Sequence, residues 1–160
     1  MLRHKILVDK AGGIYLTGRF ENRVAFITGG SRGIGKSIAE TFTEEGAKIA
    51  IIDIDTEALQ NVQSEFKEKG FDILALQANV VNSHEVEAAM EQVMKEYGSI
   101  DILVNNAGII RDNLLFKMTD NDWDQVIDVH LKGAFNTTRA AQKYMVQQKY
   151  GRIINISSTS

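Results

Sequence analysis

Short runs of consecutive apolar residues alternate along the chain with longer segments in which apolar residues recur every three or four positions. The short runs predict buried parallel strands. They occupy residues 24–27, 49–52, 73–76, 100–104 and 151–156. The longer segments predict four helices, of which the first three end at Gly46, Gly70 and Gly98. This alternation favours a doubly wound, Rossmann-type α/β domain with a parallel sheet.

The fourth predicted helix is the longest. Thr119 and Asp122 have the spacing of a capping box, with Asp in place of the usual Glu, which favours a helix start at this point. The helical period predicts that one side of this helix packs onto the sheet. That side carries Trp123, Ile127, Ala134, Ala141 and Met145.

The two ends of the chain do not follow the alternation. Residues 1–17 precede the predicted domain, which occupies residues 18–160. Within this extension, residues 5–8 and 14–17 could pair as a hairpin around Gly12 and Gly13. The alternatives are a disordered extension or a mis-assigned start. At the other end no helix follows the fifth predicted strand, so one apolar face of the sheet would stay uncovered. We therefore interpret the domain as incomplete, truncated after its fifth strand.

Composition narrows the possible functions. Apolar residues make up 44% and charged residues 24% of the chain, which is ordinary for a globular domain. The net charge of -3, with scattered cations, argues against a nucleic-acid partner. Cysteine is absent and the histidines His4, His84 and His130 lie far apart, so we expect neither disulfides nor a metal site. No apolar run reaches bilayer length, and we expect a soluble cytoplasmic protein with no membrane partner.

The first strand runs into a glycine-rich turn that allows two functional interpretations. Starting at Gly30, the letters fit G-x-x-x-x-G-K-S, in which Lys36 would reach the terminal phosphates of a nucleotide and Ser37 would hold magnesium. Starting at Gly29, the glycines at 29, 33 and 35 fit a dinucleotide-binding turn, where the backbone approaches a pyrophosphate at a helix N-terminus. A plain strand-to-helix turn is the third alternative.

Asp53 favours the dinucleotide interpretation. It closes the second predicted strand, with the ~20-residue spacing at which such folds place an acidic residue for the adenosine ribose. A carboxylate there also repels a 2′-phosphate, which favours NAD over NADP. Arg32 is the opposing signal, because a cation in the turn could pair with that phosphate. We expect NAD, with NADP as the alternative and a solvated strand end as the functionless interpretation of Asp53.

Three motifs carry a family resemblance. They are Thr28-Gly-x-x-x-Gly33-Ile34-Gly35 after the first strand, Asn105-Asn106-Ala107-Gly108 after the fourth, and the stretch 151–158. On these motifs residues 18–160 resemble the short-chain dehydrogenase/reductase family. The first interpretation of the glycine-rich turn, a P-loop phosphate site that starts at Gly30, therefore becomes much weaker. Residues 107–114 and 118–123 are similar to 3-oxoacyl-(acyl carrier protein) reductases and to relatives that act on 3-hydroxyacyl-CoA.

The turn and the resemblance together give the expected cofactor contacts. The resemblance implies that Asn105, Ala107 and Gly108 line the nicotinamide side and that Asn79 with Val80, where the family usually has Asp-Val, faces adenine. The full expected set is Thr28, Gly29, Ser31, Arg32, Gly33, Ile34, Gly35, Asp53, Asn79, Val80, Asn105, Ala107 and Gly108.

The resemblance also implies catalytic residues. The family uses a Ser to steady the substrate oxygen, a Tyr to exchange its proton, a Lys to lower the pKa of that Tyr, and an Asn to hold a relay water. Ser158 matches the Ser, with Ser157 as the second choice, and His130 occupies the Asn position. An imidazole can pass protons, but a histidine hydrogen-bonded to backbone at a helix bend is an equal alternative.

The family's Tyr-x-x-x-Lys motif is missing from the chain. None of Tyr15, Tyr97, Tyr144 and Tyr150 has a lysine four residues later. We therefore expect an NAD-dependent oxidoreductase of 3-oxoacyl or 3-hydroxyacyl thioesters whose 160 residues do not turn over alone. The alternatives are a non-catalytic dinucleotide-binding or interaction module and, more remotely, a P-loop nucleotidase. Because family dimers are usual, a homo-oligomer stays open.

Overall fold

Two short strands come first along the chain. In a computed structural model, which describes residues 5–8 and 14–157, strand β1 (Lys5–Val8) pairs antiparallel with strand β2 (Ile14–Thr17). Of the three alternatives for this region, the structure therefore has the hairpin pairing. Gly12 and Gly13, around which the hairpin was expected to turn, lie outside the described residues.

The main sheet is parallel and doubly wound, as predicted. Its strands are β3 (Val24–Thr28), β4 (Lys48–Asp53), β5 (Ile73–Gln77), β6 (Ile102–Asn105) and β7 (Arg152–Asn155). Within the described residues they lie in the order β5-β4-β3-β6-β7. The chain thus builds outward from β3 in one direction and then from β6 in the other. Between β3 and β6 the winding reverses, and such a switch point is where open α/β sheets bind ligands.

Helices connect the strands. They are α1 (Gly33–Glu44), α2 (Thr56–Glu68), α3 (Ser83–Tyr97), α4 (Asp120–Ile127) and α5 (Gly133–Gln148). A 3-10 turn at Leu115–Lys117 precedes α4, and a π-helical segment at Asp128–Lys132 joins α4 to α5. The predicted capping box at Thr119 and Asp122 is confirmed, as is the left-handed stop at Gly98.

The core has two layers because the strands of the sheet's centre are covered on both faces. Alternate residues of β3 and β4, such as Phe26 and Ile52, face the layer that includes α3 and α5. Their neighbours, such as Ile27 and Ile49, face the layer of α1 and α2. Burial on both faces explains why these strands are continuous apolar runs rather than alternating ones.

Two expectations about burial are wrong. The last predicted strand was expected to be buried except for one uncovered face, but every residue of β7 is exposed. It lies at one edge of the sheet and, unlike β5 at the other edge, no helix of the described residues packs extensively over it. Trp123, 58% exposed, and Ile127 do not share the buried side of Ala141 and Met145. The π-helical segment between them shifts the helical phase. In addition, α4 has no buried residue on any side, so it does not reach the core that α5 covers.

The helices of the described part of the chain also bear on membrane insertion. None of its helices combines the length and the apolar character that a bilayer-spanning helix requires.

Candidate cofactor and substrate site

A cleft opens at the switch point, where the carboxyl ends of β3 and β6 diverge. Its volume is about 550 Å³, within the range of small-molecule pockets. Most of the expected cofactor residues border this switch-point cleft, namely Gly29, Arg32, Ile34, Asp53, Asn79, Val80, Ala107 and Gly108. The sequence prediction therefore names residues from four separate segments of the chain that the fold brings to one place.

The glycine-rich turn forms one wall of the cleft. Gly29 has φ +62°, a left-handed conformation that glycine adopts without strain. A Cβ on Gly35 would overlap the carbonyl oxygen of Gly29, so only glycine lets α1 begin this close to the turn. No side chain of the described residues caps the start of α1, whose first turn also lacks acidic residues. The exposed N–H groups and the helix dipole there suit an anion such as a pyrophosphate.

Asp53 ties the end of β4 to this turn. Its Oδ2 accepts a hydrogen bond from the Ser31 hydroxyl at 2.5 Å, and its Oδ1 accepts one from the Ile54 N–H at 2.8 Å. Ser31 thus supports the carboxylate rather than lining the cleft. The Arg32 side chain is largely exposed, with its guanidinium 3.9 Å from the Asp55 carboxylate. The carboxylate of Asp53 therefore sits inside the cleft wall, while the opposing cation is turned toward a different acidic residue.

Thr28 and Asn106 join the two walls. The Thr28 hydroxyl oxygen accepts hydrogen bonds from the N–H groups of Asn106 at 3.0 Å and Ala107 at 2.9 Å. In return the Asn106 side-chain amide donates to the carbonyl oxygens of Thr28 at 3.0 Å and Gly29 at 3.1 Å. Asn106 was not among the expected site residues, although its place between Asn105 and Ala107 in the motif was the available signal. It holds the glycine turn against the loop after β6.

Asn105 is built into a buried polar chain instead of facing the cleft. Its Oδ1 accepts from the Thr137 hydroxyl at 2.6 Å, and its amide donates to Asn155 Oδ1 at 2.8 Å. These bonds link α5, β6 and β7 at the carboxyl ends of the strands. Both Asn105 and Thr28 border a second cavity that continues from the cleft.

This second cavity is an open groove of about 1380 Å³. It shares Val80, Ala107 and Gly108 with the switch-point cleft, so the two cavities communicate. His130 and Ser157 also border it. Ser158, the preferred match to the family Ser, lies outside the described residues.

His130 lies in the π-helical segment and contacts the loop after β6. Its Nε2 is 3.1 Å from the Ile109 nitrogen and 2.9 Å from the Ile109 oxygen. This is the backbone contact at a helix bend that the sequence left open as the alternative to a relay role. A Cβ on Gly108 would lie 2.6 Å from the imidazole ring, so that glycine allows the histidine to come close.

The P-loop interpretation finds no support in this geometry. Lys36 forms an ion pair with Glu65 of α2, which holds the pKa of the Glu65 carboxyl below its usual value. Lys36 and Ser37 border neither the cleft nor the groove. Among the described residues, no cluster of three or more His, Cys, Asp or Glu side chains could hold a metal ion.

Comparison with known proteins defines the class. The family model of the short chain dehydrogenases matches residues 23–160, and the chain belongs to this family. A 3-oxoacyl-[acyl-carrier-protein] reductase FabG of Staphylococcus aureus is 49% identical over 135 residues, which are 84% of this chain and 55% of the relative. The subunit BbsD of (2S)-[(R)-hydroxy(phenyl)methyl]succinyl-CoA dehydrogenase from Thauera aromatica is 44% identical, over 86% of this chain and 56% of the relative.

A solved structure agrees with the fold. The crystal structure of gox2181 superposes with a TM-score of 0.84 at 34% sequence identity, covering 88% of this chain and 55% of that one. The chain spans about half the length of the curated relatives it matches.

Proposed function

We propose that this chain forms the NAD-binding part of an oxidoreductase that transfers hydride to or from the C3 carbon of 3-oxoacyl or 3-hydroxyacyl thioesters. The observation that carries the proposal is the switch-point cleft, where the glycine turn, Asp53 and the loop after β6 converge. The names of two relatives, a 3-oxoacyl-[acyl-carrier-protein] reductase and a subunit of (2S)-[(R)-hydroxy(phenyl)methyl]succinyl-CoA dehydrogenase, support the substrate class.

The residues of the cleft fit a nicotinamide dinucleotide. Bound there, the cofactor would supply the hydride donor or acceptor of the reaction. The N–H groups at the start of α1 would bind the pyrophosphate, because Gly29 and Gly35 let α1 begin directly against the turn. Asp53 would accept hydrogen bonds from the adenosine ribose hydroxyls, and its charge would oppose a 2′-phosphate. Asn79 and Val80 would face the adenine, with Ala107 and Gly108 on the nicotinamide side.

The substrate side is proposed to use Ser158 and His130. Ser158 would hold the substrate oxygen, and His130 would stand where the family carries its relay Asn. Because the chain contains no Tyr-x-x-x-Lys motif, we propose that the 160 residues bind the cofactor without turning it over by themselves. A cytoplasmic location stays a prediction.

The interaction module remains the second candidate because apolar residues of β7 are partly exposed. Ile153 and Ile154 are each 40% exposed, one on either face of the edge strand. This candidate predicts a defined oligomer in sedimentation experiments whether or not NADH is present, whereas the oxidoreductase proposal requires cofactor binding.

The test is a titration of the purified chain with NADH and NADPH, followed by cofactor fluorescence and by the shift in melting temperature. We expect NADH to bind about tenfold more tightly than NADPH, which corresponds to ~1.4 kcal/mol. Asp53→Asn keeps the side-chain size but removes the charge, so the preference should narrow. Asp72→Asn, an exposed residue before β5 at the opposite end of the sheet, is the matched control.

Two outcomes would contradict the proposal. Tighter binding of NADPH by the unmodified chain would overturn the NAD assignment. A cooperative melt that neither dinucleotide shifts would overturn the cofactor-binding function itself.

A further inference from the structure

The loop between β5 and α3, residues 78–82, borders the switch-point cleft through Ala78, Asn79, Val80 and Val81. Part of its conformation is fixed from within and from α3. The Asn79 side-chain oxygen accepts from the Val81 N–H at 3.0 Å, and the Asn79 N–H donates to Glu85 of α3 at 2.8 Å. These bonds leave the carbonyl groups of Val80 and Val81 to be satisfied elsewhere.

Asn136 of α5 satisfies both carbonyls. Its side-chain amide donates to the Val80 oxygen at 3.0 Å and to the Val81 oxygen at 3.1 Å. Asn136 is 5% exposed, so water does not replace these bonds easily. An amide group has two N–H donors, and both are used here on one short stretch of backbone. Loss of this amide would leave buried acceptors without partners, and the loop would have to move to reach water.

A second contact fixes the same loop against the same helix. Gly133 lies one turn before Asn136, and a Cβ on it would come within 2.7 Å of Val80 Cγ2. The helix backbone therefore packs directly on the Val80 side chain, while the Asn136 amide holds the backbone beside it. Two neighbouring features of α5 thus determine where Val80 lies.

We propose that Asn136 is a positioning residue for the adenine half of the dinucleotide. It does not border the cleft itself; it acts through Val80 and Val81, which do. The inference rests on the proposed function, since it requires a dinucleotide whose adenine lies against Asn79 and Val80.

The experiment measures the dissociation constant of ADP-ribose, which carries the adenine half without nicotinamide, beside that of NADH. Asn136→Ala is compared with Gln148→Ala. Gln148 lies on the same helix and bonds both the N–H and the carbonyl of Ile100, at the end of the sheet away from the cleft. We expect Asn136→Ala to raise the dissociation constants of ADP-ribose and of NADH about tenfold each. Gln148→Ala should lower the melting temperature but leave both dissociation constants unchanged.

A second variant covers the case in which Asn136→Ala does not fold. Gly133→Ala keeps the amide but places a methyl group against Val80, and alanine is favoured over glycine within a helix. It should weaken ADP-ribose binding without loss of the cooperative melt.

The inference is overturned if a folded Asn136→Ala binds ADP-ribose as the unmodified chain does, or if Gln148→Ala loses as much affinity. If Asn136→Ala does not fold but Gly133→Ala does, unchanged ADP-ribose binding by Gly133→Ala also overturns the inference. Failure of the unmodified chain to bind either ligand would instead reject the proposed function, and the inference with it.

Discussion

The centre of the sheet and its β7 edge are built from similar apolar sequence but differ in burial. Every residue of β3 is buried, whereas every residue of β7 is exposed. Among the helices, α1, α2, α3 and α5 each bury several residues, and α4 buries none. An apolar run thus shows that a segment can be buried, while its neighbours in the fold decide whether it is.

The largest expected effect comes from a matched pair of isoleucines on the two sides of this comparison. Ile49 of β4 is 0% exposed and Ile154 of β7 is 40% exposed. Ile49→Ala should lower the free energy of unfolding by about 2–5 kcal/mol, because it removes buried methyl groups and leaves a cavity. Ile154→Ala should cost about 1 kcal/mol or less, since much of its surface already contacts water. Urea unfolding followed by circular dichroism measures both.

Equal losses in the free energy of unfolding for Ile49→Ala and Ile154→Ala would contradict the difference in burial between the centre of the sheet and β7. A large cost for Ile154→Ala would show that β7 is covered in solution, as it would be in an oligomer, and sedimentation of the two variants would then separate self-association from simple unfolding.

Much of the fold could be predicted because local signals and tertiary structure agree at the centre of the sheet. Strands β3, β4 and β5 begin within one residue of their predicted starts, since apolar runs and glycine stops act locally. The exposure of Trp123 could not be predicted in the same way. It depends on a π-helical segment, which has no strong local sequence signal, and on the position of α4, which buries no residue on any side.

The residues of the candidate site that belong to sequence motifs could be predicted. Residues that only tertiary packing brings to the site could not. Gly29, Asp53 and Ala107 lie at or just after strand ends, so their convergence at one edge of a parallel sheet could be expected. Asn136 lies in the first turn of α5, far along the chain from the loop that it holds. Its sequence surroundings carry no motif of their own, and the packing of α5 beside α3 brings the two together.

Substitutions at two glycines distinguish an effect on NADH binding from an effect on stability alone. Their expected effects on the free energy of unfolding are smaller than that of Ile49→Ala. Gly35 lies in the first turn of α1, where an added Cβ would overlap the Gly29 carbonyl oxygen. Gly70 follows α2 with φ +83° and open space around it. Gly35→Ala should lower the free energy of unfolding by about 1–3 kcal/mol through forced backbone shifts. Gly70→Ala should cost about 1–2 kcal/mol through left-handed strain. Only Gly35→Ala should abolish the melting-temperature shift that NADH produces.

The outcome that contradicts this prediction is specific. If Gly35→Ala still binds NADH with unchanged affinity, the dinucleotide does not lie over the turn. If Gly70→Ala also loses binding, the loss reflects general destabilisation and the pair does not distinguish the two ends of the sheet.

The smallest expected effect concerns α4, which has no buried residue and relies on its polar start. Asp122 accepts hydrogen bonds from the Thr119 hydroxyl at 2.6 Å and from the Thr119 N–H at 3.1 Å, and these bonds hold the pKa of Asp122 below its usual value of 3.8. A carboxyl group whose pKa is lower in the folded state stabilises that state above its unfolded pKa. This contribution disappears as the pH falls through the lower, folded value.

The stabilising role of the Asp122 carboxylate is tested by melting temperatures. They are measured for the unmodified chain and for Asp122→Asn from about pH 7 to about pH 2.5. The difference between the two should be constant above about pH 4 and should shrink below it, because protonated Asp122 resembles the amide. Asp124→Asn, on the same helix but outside the capping box, should show no such convergence. A difference that stays constant down to the lowest pH would mean that α4 is held by packing onto the groove rather than by its first turn.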